Sequence, residues 1–189
     1  MMNTEINQPT LLVNIERVKW NIVRMEEKAR RQGKRFRPHF KTHQSAIIGN
    51  YFRDLGITAI TVSSVSMAEY FSQHGWKDIT IAFPANLRQI SEINDLANTI
   101  HLGILVENLD SIEFLSKALS APVDVWIEID EGSHRSGLSW EHPEQVSQLA
   151  KAIPKTSMLR VKGILTHAGR IYHAGSTVEI NRIYHESVK

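Results

Sequence analysis

The residues best placed to do chemistry are a lysine and two histidines in the segment 35–43, Arg-Phe-Arg-Pro-His-Phe-Lys-Thr-His. We interpret Arg35–Thr42 as a strand, in which alternate residues share a face. Lys41 then lies between His39 and His43 at the carboxyl end of the strand. The opposite face is apolar and carries Phe36, Pro38 and Phe40. A lysine acts as an amine nucleophile when cationic neighbours or burial destabilise its ammonium form. The pattern therefore predicts an imine between Lys41 and a carbonyl cofactor.

Two other interpretations of this segment remain open. Basic side chains are common on edge strands, where they prevent aggregation, and such a strand can also bind phosphate at the surface. His39 and His43 tune Lys41 or bind a metal, but two imidazoles make no metal site without a third ligand. The apolar face favours a strand that is covered on one side.

The rest of the chain alternates between short β-branched runs and amphipathic stretches. After Arg35–Thr42 we expect strands at Ile57–Ser63, Asp78–Phe83, His101–Val106, Val123–Asp130 and Arg160–Thr166. We expect helices at Ile15–Arg31, Ser45–Leu55, Ser66–His74, Arg88–Asn98, Asn108–Ala118, Pro143–Ala152 and Thr177–Lys189. Strict alternation predicts an α/β fold with a parallel sheet and crossover helices. No Gly-x-Gly-x-x-Gly turn follows an early strand, which counts against dinucleotide binding.

Six strand–helix units are visible, whereas a closed (β/α)₈ barrel needs eight and commonly about 250 residues. We therefore expect a partial TIM-type barrel in one domain over residues 1–189. No Pro- or Gly-rich linker divides the chain.

Composition narrows the classes of function. The formal net charge is +2, which argues against a dedicated nucleic-acid or membrane-surface protein. The absence of cysteine excludes disulfides and thiolate metal sites in this chain. No signal peptide and no apolar run of about 18 residues is visible. We expect a cytoplasmic protein.

Three segments resemble the D-threonine aldolase and D-serine dehydratase family of pyridoxal-phosphate (PLP) enzymes, which share the alanine-racemase-like fold type. Pro-His-Phe-Lys-Thr-His at 38–43 resembles the segment around the cofactor lysine. The acidic run and glycine–arginine–glycine loop at 128–137 resemble a second motif, and Thr-His-Ala-Gly at 166–169 with Tyr172 resembles a third. Weaker likenesses at 9–14, 61–65 and 78–84 occur in the same order.

The resemblance implies a (β/α)₈ barrel that carries PLP at the carboxyl ends of its strands, where barrel active sites lie. Lys41 would form the internal aldimine and exchange protons at the substrate α-carbon. Arg135 would donate to the ring oxygen of PLP; alternatively it forms a structural ion pair with Asp130 or Glu128.

Three further residues have weaker expected roles at the cofactor. Tyr172 would contact the pyridine nitrogen or the phosphate, or else it is an interfacial aromatic. His167 would orient a neighbour or approach the ring, or else it is a satisfied barrel histidine. Ser63 is the weakest candidate for a cofactor contact.

The implied reaction is Cα–Cβ cleavage or β-elimination on a β-hydroxy D-amino acid. Amino-acid racemisation and a PLP-binding homeostasis protein are alternatives, although the His-x-x-Gly-x-x-Gln-x-Asn-Lys segment of the latter does not occur here. A non-catalytic barrel fragment that needs a partner chain is a third alternative. Family members also bind a divalent metal through a C-terminal β domain, which this sequence lacks together with its ligands. We therefore expect weak or no activity from this chain by itself, and a homodimer or higher oligomer.

Overall fold

The structure, a computed structural model, describes residues 6–153 and 158–187. Seven α-helices lie in the described chain: α1 Ile15–Arg31, α2 Ala46–Arg53, α3 Val65–Gln73, α4 Ile90–Ala97, α5 Leu109–Ala118, α6 Pro143–Ala152 and α7 Thr177–Ser187. Six strands accompany them: β1 Ala59–Val62, β2 Asp78–Pro84, β3 His101–Val106, β4 Val123–Asp130, β5 Leu138–Ser139 and β6 Leu159–Thr166. Short 3₁₀ turns occur at Phe40–Thr42, Leu87–Gln89 and Gly169–His173.

The chain divides into two compact units. The first contains residues 1–37 and 45–57 and so carries α1 and α2. The Asn14 side chain accepts a hydrogen bond from Arg17 N and starts α1. Within this unit the Lys19 ammonium lies 5.2 Å from the centre of the Tyr51 ring, which joins the two helices.

The second unit contains residues 38–44 and 58–189 and carries the whole sheet. The expected α/β fold with a parallel sheet is confirmed, because β1, β2, β3 and β4 pair in that order and all pairs are parallel. β6 pairs with β4 from Val123 to Ile129, so the short strand β5 must occupy the other edge of β4, beyond the end of β3. Within the described residues the six strands do not close into a barrel.

The core of this unit lies on the β-branched strands and the helices that cover them. Ile60, Ile79, Leu102 and Val125 have no exposed side-chain surface. Their positions follow from the sequence, since parallel strands covered by helices are almost continuously apolar.

The strand predicted at Arg35–Thr42 is wrong, because these residues do not form a strand. Residues 35–42 make one isolated parallel bridge, between His39 and Thr61, and the chain then turns into the 3₁₀ turn Phe40–Thr42. Pro38 has no N–H to donate to a ladder, although its carbonyl accepts from Thr61 N at 2.8 Å. The His39 ring accepts from Lys41 N, so that donor is also withdrawn from strand pairing.

No helix of the described chain is long and apolar enough to cross a membrane. The cytoplasmic location and the oligomeric state stay predictions.

Candidate functional site

Lys41 lies in the middle of a short turn that its neighbours hold at both ends. His39 Nδ1 accepts from the backbone N of Lys41 at 3.2 Å, and His43 N donates to the carbonyl of Phe40. The lysine itself is exposed. The described residues therefore do not bury it, and burial was one of the two conditions that the sequence offered for a nucleophilic lysine.

Phe40 anchors this turn in the core. Its side chain is 0% exposed and its ring meets Phe71 and Trp76 edge-on, at centroid distances of 5.0 and 5.1 Å. The His43 ring packs on Phe40 at 4.5 Å and on Phe71 at 6.4 Å. His43 is therefore part of an aromatic cluster, and its predicted role in tuning Lys41 finds no support in these contacts.

His39 and His167 carry electrostatic evidence that the basic residues share one site. Burial, followed by the charges of Lys41 and His167, lowers the pKa of His39 from 6.5 to about 4. Burial, followed by the charges of Arg135 and Lys41, lowers the pKa of His167. Both effects of Lys41 require it to lie near the two rings. The structure thus brings together His39, Lys41, Arg135 and His167 from three separate segments.

The low pKa of His39 changes one part of the sequence argument. A histidine with a pKa of about 4 is neutral near pH 7, so His39 supplies no positive charge beside the lysine there. It supplies instead an acceptor nitrogen that fixes the turn.

Arg135 is carried by a loop between β4 and β5 that three carboxylates hold. Asp130 Oδ1 accepts from the backbone N of Gly132 and of His134. Burial raises the pKa of Asp130, and these bonds, led by that from His134, lower it further than burial raises it. At the end of the loop, Glu107 Oε2 accepts from Gly137 N at 2.8 Å.

The third carboxylate, Glu128, lies beneath the arginine. Its Oε1 accepts from Ser136 Oγ at 2.9 Å and is 3.7 Å from Arg135 Nη2. The ion pair that the sequence offered as the alternative role of Arg135 is therefore present, with Glu128 and not with Asp130. It leaves the Arg135 side chain 43% exposed and accessible to a ligand.

His167 follows β6 in a tight turn. Gly169 N donates to the His167 carbonyl at 2.7 Å, and Ala168 has φ −71° and ψ 61°, the values of an inverse γ-turn. The His167 ring lies 5.8 Å from the Tyr172 ring. Tyr172 is 74% exposed, so it lies at the site but is not packed into it.

Ser63 follows the last residue of β1 and is half-buried. It lies at the carboxyl edge of the sheet, as do the loops after β4 and β6, because all these strands are parallel. Its predicted contact with a cofactor stays a prediction.

Sequence reasoning missed Glu107 and named Glu128 only as an alternative ion-pair partner of Arg135. Glu107 follows β3 and Glu128 lies on β4, each at the carboxyl edge of a strand. The signal for Glu128 was a charged residue between two isoleucines of a covered strand, since such a residue is buried only when it is paired. The signal for Glu107 was weaker, because an acidic residue after a strand is ordinary.

Among the described residues no group of three His, Asp or Glu side chains is placed to hold a metal ion. The divalent metal remains an implication of the resemblance.

The family described as "Alanine racemase, N-terminal domain" matches residues 13–185. The chain is similar to the D-threo-3-hydroxyaspartate dehydratase of Delftia sp. (strain HT23), with 30% identity over 171 residues, 88% of this chain and 45% of the relative. It is also similar to the D-serine dehydratase of Dictyostelium discoideum, with 26% identity over 97% of this chain and 50% of the relative.

Among solved structures, that of the D-threonine aldolase from Filomicrobium marinum superposes with a TM-score of 0.90. It is 24% identical and the match covers 96% of this chain and 50% of that protein, which shows a shared fold. The chain thus spans about half the length of the curated relatives it matches.

Proposed function

Because the chain belongs to the alanine racemase N-terminal domain family, we propose that it binds PLP at Lys41. We propose further that it forms the cofactor-binding part of an enzyme that acts on β-hydroxy D-amino acids, by Cα–Cβ cleavage or β-elimination. The observation that supports this most is the proximity of Lys41 and Arg135 to His167, whose pKa is lowered first by burial and then by these two charges. The names of the relatives, a hydroxyaspartate dehydratase and a D-serine dehydratase, support the substrate class.

The described residues fit PLP chemically. The cofactor needs a primary amine to hold its aldehyde, and Lys41 offers an exposed one. It carries an anionic ring oxygen, for which the half-exposed Arg135 guanidinium is a matched donor. Positive charge at the site also suits the phosphate group of PLP.

When bound, PLP supplies an aromatic ring that accepts electrons from a broken bond at the substrate α-carbon. The chain supplies the groups around it. Lys41 gives or takes the proton at the α-carbon, and Arg135 orients the cofactor by donating hydrogen bonds. His39 holds the lysine turn through Nδ1 and, being neutral near pH 7, adds no competing charge.

A titration with PLP tests the cofactor-binding proposal. We expect the wild-type chain to develop a visible absorbance band, and borohydride reduction to fix the cofactor on the peptide that contains Lys41. Lys41→Ala should lose both signals. Lys77 is an exposed lysine just before β2. Lys77→Ala is therefore the matched control and should keep both the absorbance band and the fixed cofactor. A band of equal strength in Lys41→Ala would refute the assignment.

The unpaired edge of β6 favours low catalytic activity of this chain by itself. Among the described strands β6 pairs only with β4, and its Val161 and Ile164 side chains are 44% and 62% exposed. Unpaired strand edges and exposed apolar side chains require a covering partner. We expect the 189-residue chain alone to turn over D-threonine or D-serine weakly or not at all. Turnover at the rate of a complete enzyme of this family would contradict that expectation.

A further inference from the structure

Glu128 is the most deeply buried acidic residue in the described part of the chain, at 1% exposure. A buried carboxylate stays ionised only where donors or a cation replace the water it has lost. For Glu128 these are the Ser136 hydroxyl, which donates to Oε1 at 2.9 Å, and the Arg135 guanidinium at 3.7 Å. The charge of Glu128 is thus balanced by the residue expected to hold the cofactor.

The other carboxylate oxygen of Glu128 can accept a further hydrogen bond. Oε2 is buried and has no hydrogen-bond partner among residues 6–153 and 158–187. A guanidinium has five N–H donors in a fixed fork, which matches both oxygens of a carboxylate. Arg135 can therefore pair with Glu128 through part of its guanidinium while its remaining N–H groups donate to a ligand.

The remaining carboxylates of the loop do a different job. Glu107 accepts from the backbone of Gly137, and Asp130 accepts from the backbone at Gly132 and His134. These bonds fix the path of the loop. Only Glu128, among the described contacts, also acts on the Arg135 side chain.

We propose that Glu128 is a positioning residue that holds the Arg135 guanidinium in the orientation required for the cofactor. The effect of Glu128 on cofactor binding then passes through Arg135 and vanishes when Arg135 is absent. This inference rests on the proposed function for its cofactor, but the pairing of the two charges can be tested without it.

The test is a double-mutant cycle with Glu128→Gln, Arg135→Gln and the double variant, read as the dissociation constant of PLP from its visible absorbance. Glu128→Gln should weaken PLP binding roughly 2- to 5-fold, the range for losing one ion pair with a partly exposed partner. In the Arg135→Gln background the same substitution should have no effect. Glu128→Asp, which keeps the charge, should recover part of the affinity.

Glu107→Gln is the matched control. It neutralises a carboxylate whose described hydrogen bond is to the loop backbone and not to the Arg135 side chain, so whatever affinity it costs should be the same with and without Arg135. If Glu128→Gln also costs the same affinity in both backgrounds, its role is structural and the proposal is overturned. A wild-type chain that binds no PLP would instead refute the proposed function.

A second measurement, thermal unfolding of the cofactor-free chain, tests the pairing by itself. Arg135→Gln leaves the buried Glu128 charge without its cation, so the melting temperature at pH 8 should fall by about 5–10 °C. The double variant has no unpaired buried charge at position 128 and should melt well above Arg135→Gln at pH 8. Equal melting temperatures for these two variants would overturn the pairing.

Discussion

Replacement of Phe40 by leucine should separate the stability of the fold from the placement of Lys41. Phe40 is fully buried and makes edge-on contacts with two aromatic rings, and it begins the 3₁₀ turn that carries the lysine. Leucine leaves a cavity and removes both ring contacts, which we estimate to cost about 1–2 kcal/mol. For a chain of this length the melting temperature should fall by about 2–8 °C.

Phe71→Leu is the matched control, because Phe71 is equally buried and belongs to the same cluster but lies on α3. We expect both variants to lose similar stability, measured by circular dichroism. Only Phe40→Leu should also reduce the yield of cofactor fixed to Lys41 by borohydride, measured by peptide mass spectrometry below the melting temperature. Equal yields from the two variants would show that Phe40 does not position the lysine.

Three further changes test the site. Gly137→Ala should cost about 1–3 kcal/mol, because φ is +98° and the new Cβ would lie 2.9 Å from backbone atoms. Gly33→Ala, at φ +62° with nothing within 4 Å, should cost less in the same urea titration. Gly169→Ala would place its Cβ 2.9 Å from His167 Nδ1 and displace that ring from its half-buried position. The pKa of His167, followed by NMR, should then rise towards its ordinary value; an unchanged titration would contradict the packing. For His39, the unfolded chain binds a proton near pH 6.5 and the folded chain only near pH 4, so folding stability should fall as the pH drops through this window. His39→Gln should lose that part of the acid sensitivity, measured by urea unfolding at pH 7 and pH 5.

Periodicity sufficed to predict the elements that are held by their own hydrophobic pattern. The bounds of α1, α6, β3 and β4 agree with the structure residue for residue, because each pairs a clear apolar pattern with a clear beginning and end. The short strand β5 was missed, because a two-residue strand at Leu138–Ser139 has no period to detect.

The lysine segment shows why alternation alone can mislead. Burial does alternate as predicted over Pro38, His39 and Phe40, yet a ladder also needs backbone donors. Pro38 has none, and the N–H of Lys41 is taken by the His39 ring. The sequence thus predicted correctly which of these residues face the core, although they do not form a strand. Burial and hydrogen bonding are separate requirements.

The same separation explains how the site is built. The sequence identified Lys41, Arg135 and His167 by type and by resemblance, but each is placed by a neighbour to which sequence reasoning assigned no role at the cofactor. Phe40 anchors the lysine turn in the core, Glu128 balances the arginine from below, and Gly169 lets the histidine turn close. Such residues are interpretable only once the contacts are known, because a buried phenylalanine or a glycine has many uses. Substituting the supporting residues should therefore change cofactor binding through geometry, while substituting the three basic residues changes it through charge and bonding. The two kinds of effect can be distinguished, because the effect of substituting a supporting residue should disappear once the basic residue that it places has itself been replaced.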